Sequence, residues 1–110
     1  MSKQYEISSQ LDAKLIEKYA NELESCTYST DTPLFYEGNV PVVAYIILSG
    51  EVLLSRRKKI IQTLSAGSLI GIKLLHGHTP SLYTAVVKGG SKILFLDRST
   101  LLELSDHQLV

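Results

Sequence analysis

The chain has 110 residues, 45% of them hydrophobic and 20% charged. That length and composition suit one compact domain with one core and exclude a disordered polypeptide. Eleven basic and eleven acidic residues cancel to a formal net charge of zero, which argues against a surface built as a whole for nucleic acid or anionic lipid.

The first residues, Met1 to Glu6, are polar and lack the apolar stretch of a signal peptide. Residues 1–8 read as a loose arm. From Ser9 the pattern turns helical, with Leu11, Leu15, Ile16, Tyr19 and Leu23 on one face and Lys14, Glu17, Lys18 and Glu22 on the other. Ser9 and Asp12 resemble a capping box at its start. From Cys26 onward short apolar runs alternate with turn signals. Strands are expected at Leu34–Tyr36, Ala44–Leu48, Glu51–Ser55, Ile60–Leu64, Tyr83–Val87 and Lys92–Leu96. The turns between them are Thr30–Pro33, Glu37–Asn39, Ser49–Glu51, Ser65–Ser68, His76–Pro80 and Lys88–Ser91. A short helix from about Arg98 to Leu104 follows, with Asp97 as its cap. The longest apolar run, Val42 to Leu48, is far short of a membrane span. Such spacing is the signature of an antiparallel sandwich or barrel, and the expected architecture is mainly β, an antiparallel jelly-roll β-barrel flanked by an N-terminal helix and a short C-terminal one. The single cysteine, Cys26, cannot form an intrachain disulfide, so a cytoplasmic protein with this thiol as a small buried apolar group is expected.

The order of helix, jelly-roll strands and helix brings a family into view. Tyr36-Glu37-Gly38-Asn39, followed by Tyr45-Ile46-Ile47-Leu48-Ser49-Gly50-Glu51-Val52, resembles the first half of a cyclic nucleotide-binding domain. Ala66-Gly67-Ser68 and Ile70-Gly71 resemble the turns that lead into its phosphate-binding cassette, and Ile93 to Arg98 its last strand and following helix. Gly38 and Gly50 stand where tight turns need a positive φ. The resemblance covers about Leu11 to Leu104 and implies one domain over residues 1–110.

The cassette departs from that pattern. In binding members a glutamate after the Phe-Gly pair holds the ribose 2′-hydroxyl; here Gly71 is followed by Ile72, which accepts no hydrogen bond. Their Pro-Arg-Ala places a guanidinium on the cyclic phosphate; here Pro80 is followed by Ser81. The small residues after that arginine are replaced by Leu82 and Tyr83, large enough to fill a ligand cavity, and one or the other is expected to occupy that volume. Charge-assisted contacts contribute about 1.5–3 kcal/mol each, so losing both anchors weakens binding by about two to four decades. Cyclic nucleotide is therefore not expected as a ligand, and no cofactor is expected.

Three other constellations stand out in the sequence. Lys73 stands at the first turn of the cassette helix, where backbone N–H groups favour anions, and it could serve a sensor of an altered nucleotide or other anionic small ligand. His76-Gly77-His78 resembles the paired histidines of cupins, but no carboxylate follows at the cupin spacing and His107 lies far along the chain, so no metal site is expected. Arg56-Arg57-Lys58-Lys59 forms a basic run at a hairpin tip, suited to an acidic protein surface or to discouraging edge-to-edge aggregation. No motif pairs a serine or cysteine with a base, and no catalytic residue is assigned. With the sequence ending at Val110, neither a lid helix nor a DNA-binding domain is expected. What remains is a non-enzymatic regulatory module that contacts protein partners, a homodimer among the arrangements left open. It would use Tyr5 and Ile7 of the arm and Arg56 to Lys59, with no DNA and no membrane as partners.

Overall fold

The computed structural model describes residues 8–10, 13–71, 80–97 and 99. In chain order the elements are β1 (Ser8–Gln10), α1 (Ala13–Glu22), β2 (Ser25–Thr27), β3 (Thr32–Phe35), β4 (Ala44–Ser49), β5 (Glu51–Arg56), β6 (Lys59–Ser65), β7 (Ser68–Ile70), β8 (Thr84–Val87) and β9 (Lys92–Leu96). Two antiparallel sheets result, one ordered β1-β7-β4-β9-β2 and the other β3-β8-β5-β6.

Three of the crossings between sheets, the tight β4–β5, β6–β7 and β8–β9 corners, each hold a positive-φ glycine: Gly50 at 92°, Gly67 at 94° and Gly90 at 88°. Such bends are sharp enough to interrupt the hydrogen-bond ladder. Among the described residues the two sheets remain separate, so the expected mainly β jelly-roll is present as a two-sheet sandwich with no closed barrel. Gly50 is needed for a second reason. A Cβ there would run into Ser91, reaching 2.7 Å from its Cα. Ser91 is buried, and its Oγ accepts the Glu51 N–H at 3.0 Å, so the β4–β5 corner is pinned to the β8–β9 corner.

Two apolar clusters share β4. Between the sheets lie Phe35, Tyr45, Ile47, Val52, Leu54, Leu64, Ile70, Tyr83, Ala85, Val87 and Ile93. On the outer face of the five-stranded sheet, Ala44, Ile46, Leu69, Leu94 and Leu96 pack with Tyr19 of α1, with Ile16, Ala20 and Leu23 at the border. Ala44 to Ile47 are therefore all buried, which is why this strand reads as an uninterrupted apolar run. β5 faces only one cluster and alternates accordingly, with Val52 and Leu54 inward.

Several sequence expectations shift. The helix begins at Ala13 and not at Ser9, because Ser8–Gln10 pair with β7 in the register Ser9↔Leu69. Cys26 is half-buried within an edge strand and is not a core residue. Thr32 and Pro33, taken for turn residues, open β3, and Ser68 opens β7. The C-terminal helix lies outside the described residues apart from Ser99. No helix among the described residues is long and apolar enough to cross a membrane.

Candidate functional site

The region where the family cassette would stand is built from three backbone segments. β7 ends at Gly71, buried with φ of 80°, where an added Cβ would approach the Phe35 ring at 3.9 Å. Phe35 closes β3 and leads into the turn Tyr36–Asn39, in which the Asn39 N–H donates to the Tyr36 carbonyl at 3.0 Å. That turn is clamped to residue 81 in both directions. The Gly38 N–H donates to the Ser81 carbonyl at 2.7 Å, and the Ser81 N–H donates to the Asn39 carbonyl at 2.8 Å.

Ser81 itself is closed on its own loop. Its hydroxyl accepts the Tyr83 N–H at 2.9 Å and donates to the Tyr83 carbonyl at 2.7 Å. This is the local side-chain-to-backbone bonding that serine favours in turns, and it buries the side chain to 2% exposure. Tyr83 is fully buried and is the largest side chain so enclosed, packed in the cluster between the sheets. Of the two large residues, Tyr83 takes the interior place, while Leu82 is 44% exposed in the hydroxyl-closed bend that precedes β8. The charged residue among Tyr36–Asn39, Pro80–Tyr83 and Gly71 is Glu37.

Glu37 also reaches the basic tip. Its Oε1 accepts the Arg57 N–H at 2.8 Å, while its own N–H donates to the Thr84 Oγ1 at 3.1 Å. Arg56 and Lys59 are directly opposed in the β5–β6 ladder, so Arg57 and Lys58 form the two-residue turn. Both adopt positive φ, 53° and 68°, without being glycine, the geometry of a type I′ hairpin. Arg57, Lys58 and Lys59 are exposed and Arg56 is half-buried. Arg56, Arg57, Lys59 and Ile61 line an open hollow of about 350 Å³. The tip therefore projects as the sequence suggested.

Ile72, Lys73, the His76–His78 pair, His107, Tyr5 and Ile7 lie outside the described residues. Among the described residues no group of histidine, cysteine or carboxylate side chains could hold a metal ion. Sequence reasoning missed the joining role of Glu37 and a carboxylate-rimmed cleft beside the end of α1. Neither has a local signature, since both depend on segments far apart in sequence.

The fold is that of a cyclic nucleotide-binding domain, and the chain belongs to that family. The family model described as "Cyclic nucleotide-binding domain" matches residues 25–108. No match was found among curated protein sequences. Solved structures share the fold. The catabolite activator protein of Thermus thermophilus matches with a TM-score of 0.72 at 23% identity, over 89% of this chain and 48% of that one. A cyclic nucleotide-binding-like protein from Brucella abortus matches with 0.68 at 22% identity, over 87% and 86%. The regulatory domain of Toxoplasma gondii PKA, solved with cAMP, matches with 0.64 at 19% identity, over 89% and 43%. The chain thus spans about half the length of the Thermus protein. Its structural relatives are mostly regulatory domains.

Proposed function

We propose that this domain has given up cyclic-nucleotide recognition and acts as a non-enzymatic regulatory module that contacts other proteins through its surface. The observation that carries this is Ser81. Where the family's binding members present a guanidinium to the phosphate, a buried hydroxyl spends both its bonding directions on the Tyr83 backbone. Tyr83 is committed to the core. The second family anchor is replaced by Ile72 in the sequence. The basic tip supports a protein partner over DNA, because Ile60 and Ile61 are 63% and 45% exposed on the strand it begins. A phosphate-tracking surface gains nothing from them, whereas a protein interface does. A cytoplasmic setting is consistent with the lone thiol of Cys26.

Calorimetric titration with cyclic AMP and cyclic GMP up to millimolar concentration tests this directly. A flat titration is expected. Saturable binding in the low micromolar range would overturn it, and saturable binding of a different nucleotide or of inorganic phosphate would favour an altered sensor using Lys73.

A further inference from the structure

The molecule is neutral overall, yet two clusters of opposite charge, a basic pole at Arg56–Lys59 and an acidic pole at Glu22, Glu24 and Asp97, stand at one end. β4 runs from Ala44 to Ser49, Gly50 turns the corner, and β5 returns from Glu51 to Arg56 over the same number of residues. The start of β4 and the tip of β5–β6 therefore share one end of the sandwich, on opposite sheets. Beside the start of β4, an open cleft of about 320 Å³ is lined by Leu23, Val43 and Phe95 and rimmed by Glu22, Glu24 and Asp97.

Both poles are locally unfavourable. At the tip, Arg56 faces Lys59 directly across the ladder, an arrangement of like charges that weakens strand pairing. Two non-glycine residues there hold left-handed backbone conformations. At the cleft, Glu22 closes α1 with no basic residue in the last turn. Its carboxylate and that of Glu24 thus reinforce the negative end of the helix dipole. The fold needs neither arrangement. Each makes sense opposite the other, with an aliphatic side chain, Ile61, at the basic pole and an apolar floor at the acidic one.

Taking the protein-contact reading above as its basis, we infer that the partner is a second copy of this chain, the basic hairpin tip of each copy seating in the Glu22–Glu24 cleft of the other. Because both poles lie at one end, a two-fold axis satisfies both contacts at once and closes the pair as a dimer. Zero net charge leaves no long-range repulsion to oppose it.

Sedimentation velocity on the full chain tests this. A concentration-dependent dimer is expected at about 50 mM salt and should weaken at about 500 mM, where charges beyond a few ångströms are screened. Arg56→Glu with Lys59→Glu should weaken dimerisation at least about tenfold, as should Glu22→Lys with Glu24→Lys. Mixing the two reversed proteins should restore a one-to-one pair, a result that misfolding of either variant cannot produce. A chain that stays monomeric throughout, or a dimer indifferent to both reversals, overturns the inference. So does capture of a different protein by the tip while the chain itself remains monomeric. A monomer with a flat nucleotide titration removes only the second-copy partner, whereas a salt-sensitive dimer that binds cyclic AMP removes only the loss of nucleotide recognition.

Discussion

Ser81 is a residue whose side chain builds a structural turn. Its hydroxyl is small enough to fold back on the Tyr83 backbone, and the clamp to Gly38 and Asn39 then holds the loop shut. Ser81→Arg is therefore expected to destabilise the protein by about 1–3 kcal/mol, by removing both hydroxyl bonds and leaving Tyr83 polar groups to find new partners. It should not create affinity for cyclic AMP, even combined with Ile72→Glu, while Tyr83 remains in the core. Chemical denaturation and calorimetry on the same variants would check both halves. A second residue gives the protein an acid-side sensitivity. The Asp31 carboxylate accepts the Gly89 N–H at 2.8 Å and pairs with the Lys88 Nζ at 2.9 Å. The Gly89 bond first and the Lys88 bond second hold its carboxyl below its ordinary value of 3.8. With the folded pKa depressed, its stabilisation is present above 3.8 and is lost as pH falls through the lower folded value. Asp31→Asn should flatten the dependence of the unfolding midpoint on pH in that acidic window and leave it unchanged near neutrality.

Among the elements, the β5–β6 hairpin combines a regular ladder with a strained tip. A lysine at φ of 68° costs about 1 kcal/mol relative to glycine. Lys58→Gly should accordingly raise stability by about 1 kcal/mol, which thermal unfolding would record as a rise of a few degrees. No rise would mean that Lys58 makes a compensating contact. This hairpin was legible in the sequence because Val52 and Leu54 alternate cleanly with outward residues and a polar run separates the strands. β9 was legible at its full extent, Lys92–Leu96, between glycine-rich and acidic boundaries. The three-residue strands β1, β2 and β7 were not. Such a segment has no period to read: β2 and β7 pair with the longer β9 and β4, and β1 pairs with β7 in turn. The helix start went the same way. Ser9 carries a capping signature, but pairing with Leu69 takes it into a sheet, so tertiary contact overrides local preference. In the cassette, the loss of a guanidinium at position 81 was visible from residue type alone. The exposure of Leu82 and the reach of Glu37 to Arg57 were not, because each depends on how the folded chain arranges its neighbours.

At the scale of the whole molecule, the shared strand β4 determines how the protein should unfold. Ala44 and Ile46 face the helix-side cluster while Tyr45 and Ile47 face the inter-sheet cluster, so neither cluster can dissolve without exposing half of the strand that supports the other. The pinned corner at Gly50 and Ser91 adds a second tie between the sheets. Two clusters in 110 residues could in principle behave as two cooperative units. Their common strand predicts one. Tyr19→Ala empties a site under α1, and Tyr83→Ala empties one between the sheets. Truncating an enclosed aromatic side chain costs about 3–5 kcal/mol, with Tyr19 at the lower end because its cluster is bordered by half-buried residues. Both variants should therefore unfold at lower denaturant concentration in a single transition. The sequence contains tyrosines and no tryptophan, which makes near-ultraviolet circular dichroism a probe of tyrosine packing and the far-ultraviolet signal a probe of backbone structure. The two signals should coincide in the wild-type chain and in each variant. A Tyr19→Ala protein that loses its helix signal first, while the tyrosine signal of the sandwich persists to higher denaturant, would show instead that α1 is an independent unit resting on a self-sufficient pair of sheets.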